Sequence, residues 1–294
     1  MTNFSYGLCA EHQQVLTDFE TALLSYRAPT TVKLRVYYVN RLMRWSEASD
    51  QRVWQLERSD LMAWLTKGVG PSAWTKRSAK NTLSVFYQWA ESTRHIVVNP
   101  ASRLPTMRAP YGVPNPCPDD AVLRALDRST RRIDVLMLML GEYQALRAGE
   151  IAQLHTADIQ GDQIRIHGKG NKVRVIPLHP LVRDLVTYFP TGYFFPSDKN
   201  ALGHMLPASV GRRIRWLLGD QRKLNAHSLR HKFGVEALEL TPDLMALRDI
   251  MGHSSVATTE IYTRASTTRL RTMVTSLPER PGREAAVHAL RASA

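Results

Sequence analysis

The chain has 294 residues, of which 44% are hydrophobic and 22% charged, a balance that excludes an intrinsically disordered protein and suits two ordinary domains. No apolar run approaches the roughly 20 residues that cross a bilayer, and the N-terminus lacks a secretory pattern. The net charge of +13 favours a polyanionic partner, although many soluble proteins are basic without binding nucleic acid. Cys9 and Cys117 lack metal-ligand spacing, so we expect a cytoplasmic protein with reduced thiols, no membrane association and no bound metal.

Residues 1–104 are predicted to form a helical bundle. Apolar side chains recur close to every 3.6 residues in four segments, and proline opens two of them, as helix N-termini favour. The predicted helices cover residues 10–26, 29–45, 60–66 and 71–92. Asn99-Pro100 ends the pattern, because the residue before a proline is pushed out of the helical region.

The next segment, residues 105–118, is dense in proline and is predicted to be an extended, semi-rigid linker. The second domain, residues 119–294, is predicted to be mixed. Helical periodicity covers residues 119–127 and 133–143 and returns from Leu206 onward. The last part, residues 278–294, is a tail with a short Ala-rich helix at 283–292, which is marginal by itself.

A β-hairpin is predicted between these helices. Residues 163–167 alternate between apolar and polar, residues 168–171 supply turn residues, and residues 173–178 resume strand character. The expected fold is therefore mainly α with a small antiparallel β-sheet: an N-terminal helical bundle followed by a mixed α+β domain.

Four separate segments of the second domain carry the polar residues of interest. They are ALRAGEI at 145–151, GKGNK at 168–172, AHSLRH at 226–231 and MGHSSVATTEIYTR at 251–264. Each segment taken singly has an ordinary explanation, such as a surface Arg–Glu pair, a solvated turn lysine or a packed tyrosine.

The combination and order of these segments resemble the tyrosine recombinases, the family of phage integrases and Xer recombinases. The most specific pieces are GKGNK flanked by strands and the Gly-His that is followed, nine residues after His253, by Tyr262. The resemblance covers the whole second domain. It extends more weakly into the first domain through residues 76–101, which look like the end of the family's core-binding helical domain.

The resemblance implies a group of residues that holds the scissile phosphate. Arg147 and Arg230 would grip its non-bridging oxygens, since a guanidinium is always charged and bonds such oxygens in pairs. His227 and His253 would be further donors and assist proton movement. Glu150 would orient neighbouring groups.

The same resemblance implies the reacting groups. Tyr262 would be the nucleophile and form a 3′-phosphotyrosine. Lys169 would protonate the departing 5′ oxygen, because the family's lysine is the first of the two in GKGxK. Lys172 stays an alternative for that role and is also a candidate DNA contact. No cofactor, metal or ATP is implied, since the covalent bond stores the energy of the broken linkage.

The function implied is site-specific recombination in a bacterial cytoplasm. Integration or excision of a phage or mobile element is expected, with Xer-type dimer resolution as the alternative. The partners implied are double-stranded DNA attachment sites, a homotetramer on synapsed DNA and an accessory directionality factor. We also expect no arm-binding domain before the helical bundle, and a C-terminal tail that docks on a neighbouring subunit.

Three positions in two segments depart from the family's pattern. The family often has Thr-Gly where this chain has Gln144-Ala145, so the turn before the first arginine is expected to be built differently. The usual Asp of His-Asp-Leu-Arg is Ser228, while His-x-x-Arg is intact.

A basic cluster in the first domain is a candidate DNA contact. It lies at the start of the fourth predicted helix and comprises Lys76, Arg77 and Lys80. Contacts of this kind go mostly to phosphates and make binding salt-dependent. The alternative is a solvated helix face.

Three other functions compete with recombination. A non-catalytic helical DNA-binding regulator explains the charge but not Tyr262 and its cationic companions. A zinc hydrolase using His227 and His231 has suitable spacing but lacks the Glu of H-E-x-x-H and an obvious third ligand. A type IB topoisomerase shares the chemistry and would relax any supercoiled plasmid.

Overall fold

A computed structural model describes residues 7–109, 113–168, 170, 172–219 and 223–253. The chain divides into two compact units, Met1–Tyr111 and Gly112–Ala294, so the division falls inside the proline-rich segment. Tyr262, Lys169 and the tail helix predicted at 283–292 lie outside the described residues. Within the described part of the chain, no helix has the length and apolar character needed to span a membrane.

The first unit is helical. Its helices are α1 (Ala10–Leu24), α2 (Pro29–Glu47), α3 (Arg58–Ala63) and α4 (Ala73–Ser92). Their apolar faces meet in one core, where Phe19 and Phe86 pack edge to face with ring centroids 5.2 Å apart.

The third helix differs from its prediction at both ends. It begins two residues early, and the Asp60 carboxylate accepts from the Glu57 N–H at 2.8 Å across its first turn. It continues into a π-helical turn, Trp64–Gly68, in which the buried Trp64 ring covers Gly68. A Cβ at Gly68 would lie 2.5 Å from that ring, so the wide turn depends on glycine.

The second unit mixes helices with a three-stranded sheet. Its helices are α5 (Asp119–Asp127), α6 (Arg132–Tyr143), α7 (Ala148–Ala152), α8 (Pro180–Val186), α9 (Pro207–Leu218), α10 (Ala226–Leu240) and α11 (Leu244–Met251). Its strands are β1 (Ile159–Gln160), β2 (Gln163–His167) and β3 (Val173–Pro177), which are antiparallel in the order β1-β2-β3. The predicted hairpin is β2–β3, and the predicted fold class is confirmed.

Helix α10 packs closely on α6. A Cβ at Gly141 of α6 would lie 2.8 Å from the Leu229 side chain of α10, so glycine permits this approach. Leu229 is fully buried, and its neighbour in sequence is Arg230. The close packing therefore sets the depth at which Arg230 enters the second unit.

The ends of the proline-rich segment belong to different cores. Leu104 is buried in the core of the first unit, and Cys117 is buried in that of the second. The Cys117 N–H donates to the carbonyl of Ser228 at 3.0 Å, which ties the start of the second unit to α10.

Candidate active site

The first predicted segment places Arg147 at the N-cap of the short helix α7. The Glu150 carboxylate accepts from the Arg147 N–H and from its guanidinium, both at 2.9 Å. The Glu150 side chain is 4% exposed, whereas that of Arg147 is 40% exposed. The buried Glu150 therefore fixes the position of Arg147, and part of the Arg147 guanidinium stays exposed to solvent.

A further arginine, Arg174 of β3, completes this group. It donates to both oxygens of Glu150, at 2.8 and 3.0 Å, and its Nε donates to the carbonyl of Ile250 at 2.8 Å. Burial by itself raises the pKa of Glu150, but hydrogen bonds from Arg174 and from the Arg147 N–H lower it below its usual value. Glu150 is therefore ionised at neutral pH.

Sequence reasoning did not single out Arg174. A signal was present, because Arg174 shares the period-two phase of the buried Ile176 and so points to the covered face of its strand. An arginine on that face needs a partner, which is Glu150.

Arg230 joins three of the four predicted segments. It comes from α10, is fully buried, and donates to the carbonyl of Ala145, to the carbonyl of Met251 at 2.5 Å and to His253 Nε2 at 3.0 Å. Ala145 has a φ of +51°, a conformation in which glycine is less strained. This is the position where the family often has glycine, and the turn keeps its left-handed backbone here with alanine.

His253 follows the end of α11. Gly252 ends that helix in the left-handed conformation, at φ +60°, and so directs His253 toward Arg230. Burial, followed by the charges of Arg230 and Arg147, lowers the pKa of His253 to about 3. Because a guanidinium only donates, His253 Nε2 is the acceptor and Nδ1 carries the proton.

His227 lies in the first turn of α10, where Asn225 Oδ1 accepts from its N–H at 2.8 Å. Its ring meets that of the buried His231 with centroids 4.2 Å apart. Burial, then Arg230 and Arg147, lowers the pKa of His227, and burial, then His227, lowers that of His231 to about 4. Both imidazoles are therefore neutral at pH 7.

An open cleft of about 780 Å³ lies beside Arg147 and His253, whereas His227 lines a second pocket that also includes Arg147. Its lining includes Arg147, Lys172, Arg174 and His253. Lys172 is exposed, and its carbonyl accepts from the Gly168 N–H at 2.7 Å, which closes the hairpin turn. Guanidinium, ammonium and imidazole groups at one opening make a site for an anion such as a phosphate.

The basic cluster of the first unit lies on α4. Arg77 is exposed and its guanidinium lies 5.4 Å from the ring centroid of Trp74. Lys76 and Lys80 are partly buried and one helical turn apart.

The first unit also holds Cys9, His12 and Glu47 within ligand distance of one another. The two ring nitrogens of His12 are engaged: Nδ1 lies 2.6 Å from Glu47, and Nε2 accepts from the Val53 N–H at 3.1 Å. Since Nε2 is an acceptor, Nδ1 carries the proton and has no lone pair for a metal. This group ties α1 to α2 and to the turn after it.

Residues 120–269, half of the chain, match the sequence profile of the phage integrase family. The chain belongs to the phage integrase family. This member is similar to the tyrosine recombinase XerC of Actinobacillus succinogenes, with 30% identity over 199 residues that cover 62% of this chain and 68% of that protein. XerA of Thermococcus kodakarensis is 27% identical over 279 residues, covering 89% of this chain and 94% of that protein.

Solved structures share the fold of this phage integrase family member. XerH bound to its difH substrate has a TM-score of 0.66 and 16% identity, covering 90% of this chain and 84% of that chain. A lambda integrase dimer bound to a COC′ core site has a TM-score of 0.66 and 15% identity, covering 85% of this chain and 76% of that chain. The family expected from the sequence is confirmed, and the protein is a tyrosine recombinase, an enzyme of site-specific recombination.

Proposed function

We propose that this recombinase cleaves a DNA strand through Tyr262 while Arg147, Arg230, His227 and His253 hold the scissile phosphate. The observation that carries the proposal is the meeting of three segments distant in sequence: Arg147 and His253 line one cleft, and the buried Arg230 donates to His253. Arg230 reaches His253, and Arg147 lies 3.5 Å from the carbonyl of Gly252.

The proposed binding of the scissile phosphate depends on the positive charge of the arginine side chains. A phosphodiester gains negative charge as it becomes pentacoordinate, so donors held in place stabilise the transition state more than the ground state. Arg230 is fixed by its carbonyl partners, and Arg147 by Glu150, so neither needs to reorganise during the reaction. These side chains supply the charge that a metal ion supplies in other phosphoryl-transfer enzymes.

The covalent steps balance within the protein and the DNA. The Tyr262 oxygen attacks phosphorus, the bond from phosphorus to the 5′ oxygen breaks, and the 3′ end stays attached to Tyr262. The departing 5′ oxygen takes a proton from Lys169, or from Lys172, which lines the cleft. His227, neutral before DNA binds, accepts the proton that Tyr262 loses. Attack by a 5′ hydroxyl on the phosphotyrosine reverses these steps without ATP.

The biological reaction we propose is integration or excision of a phage or mobile element in a bacterial cytoplasm, with Xer-type dimer resolution as the alternative. The similarity to both Xer recombinases and integrases supports either reaction. The partners we propose are double-stranded recombination sites, three further copies of the chain on synapsed DNA, and a directionality factor. In the first unit, Lys76, Arg77 and Lys80 are proposed to contact DNA phosphates.

The test begins with a binding site selected from a random duplex library. A supercoiled plasmid with two copies of the selected site is incubated with the protein, beside a matched plasmid with none. We expect rearranged circles only from the plasmid that carries the sites. Relaxation of both plasmids at equal rates, without rearrangement, contradicts the proposal and favours a topoisomerase.

The same sites separate the two biological reactions. Sites on two different plasmids report integration, and two sites on one dimeric plasmid report resolution. We expect joining of separate plasmids at a rate comparable to resolution. Resolution alone supports the Xer-type alternative.

A further inference from the structure

We propose that Arg174 is a positioning residue that couples the lysine of the hairpin turn to the arginines that grip the phosphate. This inference rests on the function proposed above and concerns the same site. Arg174 lies on β3, two residues after Lys172 and five after Lys169 in the sequence. Its side chain reaches the two other segments that flank the cleft, at Glu150 and Ile250.

The geometry uses the whole guanidinium. The two terminal nitrogens of Arg174 meet the two oxygens of Glu150, and Nε meets the carbonyl of Ile250, three residues before His253. A planar guanidinium has a fixed set of donor directions, so these bonds set the position of the hairpin relative to both segments.

Gly252 makes room for this side chain. A Cβ at Gly252 would lie 3.0 Å from a terminal nitrogen of Arg174 and 3.2 Å from its Cδ and Cζ. The loop that leads to His253 therefore rests directly on Arg174. At the opposite end of the hairpin turn, a Cβ at Gly168 would lie 3.8 Å from a terminal nitrogen of Arg174.

Arg174 also changes what Arg147 can do. Glu150 is shared between the two arginines, since one of its oxygens accepts from both. Without Arg174, the buried carboxylate would have Arg147 as its cationic partner and would hold that guanidinium more tightly. The Arg174 guanidinium binds both oxygens of Glu150, whereas that of Arg147 binds one and is 40% exposed, so we assign Arg174 to positioning and Arg147 to the phosphate.

The chemical consequence concerns the leaving group. A proton donor works only within hydrogen-bond reach of the departing oxygen, and a misplacement of about 1 Å costs about 100-fold in rate. Loss of Arg174 frees the hairpin from Glu150 and Ile250, so the turn lysine loses its position. A sulfur leaving group does not need that proton, since a thiol has a pKa of about 8.5 and an alcohol one near water's value of about 15.7.

The test measures single-turnover cleavage of a nicked duplex whose scissile linkage carries a 5′-bridging oxygen or a 5′-bridging sulfur. For Arg174→Met we expect cleavage of the oxygen duplex to fall about 100-fold and that of the sulfur duplex to fall about tenfold or less. Arg174→Lys, which keeps the charge but loses the fork, should show the same pattern to a smaller extent. The matched control is Arg165→Met on β2, which should cleave both duplexes within about twofold of the parent rate.

Each outcome decides a separate point. Parent rates for both Arg174 variants, or equal slowing on oxygen and sulfur, overturns the coupling. Thermal melting and non-covalent DNA binding are measured alongside, and if Arg174→Met does not fold, the oxygen-to-sulfur ratio of Arg174→Lys decides. If the unmodified protein forms no adduct on either duplex, the proposed function has failed and not the role of Arg174.

Discussion

At the scale of single residues, Arg230 and Arg147 differ in burial and in the partners of their guanidinium groups. Arg230 is fully buried against two carbonyls and His253, whereas Arg147 keeps 40% of its side chain exposed. The buried Arg230 is a charge held by carbonyls and His253, and Arg147 is a charge held by Glu150 with part of its guanidinium open to a phosphate.

This difference gives a prediction for Arg230→Lys. One ammonium cannot reach both carbonyls and His253 in the geometry of a planar fork, so the fixed charge is lost from its place. We expect cleavage to fall on the order of 100 to 1,000-fold, with little change in non-covalent DNA binding. Arg183→Lys, at an exposed position on α8, is the control and should stay near the parent rate. Equal cleavage rates for Arg230→Lys and Arg183→Lys would contradict the assignment of Arg230 to the phosphate site.

The neutral histidines give a pH prediction for the DNA-free protein. The pKa values of His253 and His231 fall from 6.5 to about 3 and about 4, so the unfolded chain binds protons there from about pH 6.5 downward while the folded chain does not. The contribution of these two histidines to the free energy of unfolding should therefore be largest above pH 7. It should decline toward pH 5, by up to about 1.4 kcal/mol per pH unit for each histidine.

Urea unfolding between pH 8 and pH 5 measures this effect in the full chain. His253→Gln removes one titrating group, so its unfolding free energy should decline less steeply than that of the parent. Parallel declines for the two proteins would contradict a depressed pKa at His253.

Much of the site at this scale was predictable from residue types and their order. The structure brings Arg147, Glu150, Arg230 and His253 together in the second unit, while the roles that the resemblance implies for them stay predictions. Arg174 was not predictable as a partner of Glu150, because the contact joins residues 24 apart across two elements and depends on the exact placement of β3.

At the scale of elements, a buried lysine joins three helices of the second unit. Lys232 of α10 binds Asp119 of α5 at 2.6 Å, Glu142 of α6 at 3.3 Å and Glu236 of its own helix at 2.5 Å. Burial lowers the pKa of Lys232, but hydrogen bonds with Asp119 and Glu236 outweigh it and raise the pKa. The lysine is therefore charged, and it anchors the helix that carries Arg230.

Lys232→Met should lower the free energy of unfolding by about 3 kcal/mol, because it leaves the buried Glu142 without this cation. The double variant Lys232→Met with Glu142→Gln should recover part of that loss. Arg124→Met, which breaks an exposed pair with Asp120 on α5, is the control and should cost less than about 1 kcal/mol. Equal losses in the buried and exposed variants, measured by urea unfolding, would show that Lys232 is no anchor.

Long periodic elements were predictable and short ones were not. The hairpin β2–β3 follows from alternation around a glycine-rich turn, and α5 has the predicted bounds. β1 has two residues and α7 has five, too few for a period to show. The π-helical turn after α3 depends on how Trp64 packs, which is a tertiary property.

At the scale of the whole molecule, we expect the C-terminal tail to join subunits on DNA. Deleting residues 278–294 should leave binding to a single site intact and reduce both assembly on paired sites and cleavage. Sedimentation of the protein with site DNA measures the assembly, and a gel shift measures single-site binding. Unchanged assembly and cleavage in the shortened chain would count against this role of the tail.

The central claim is that Tyr262 is the nucleophile served by the cluster around Arg230. Its most direct test incubates a nicked suicide duplex carrying the selected site with the parent protein, Tyr262→Phe and the control Tyr188→Phe, whose tyrosine is 64% exposed. We expect an adduct that resists SDS with the parent and with Tyr188→Phe, linked through a 3′ phosphate, and none with Tyr262→Phe. An adduct that persists in Tyr262→Phe would contradict the account.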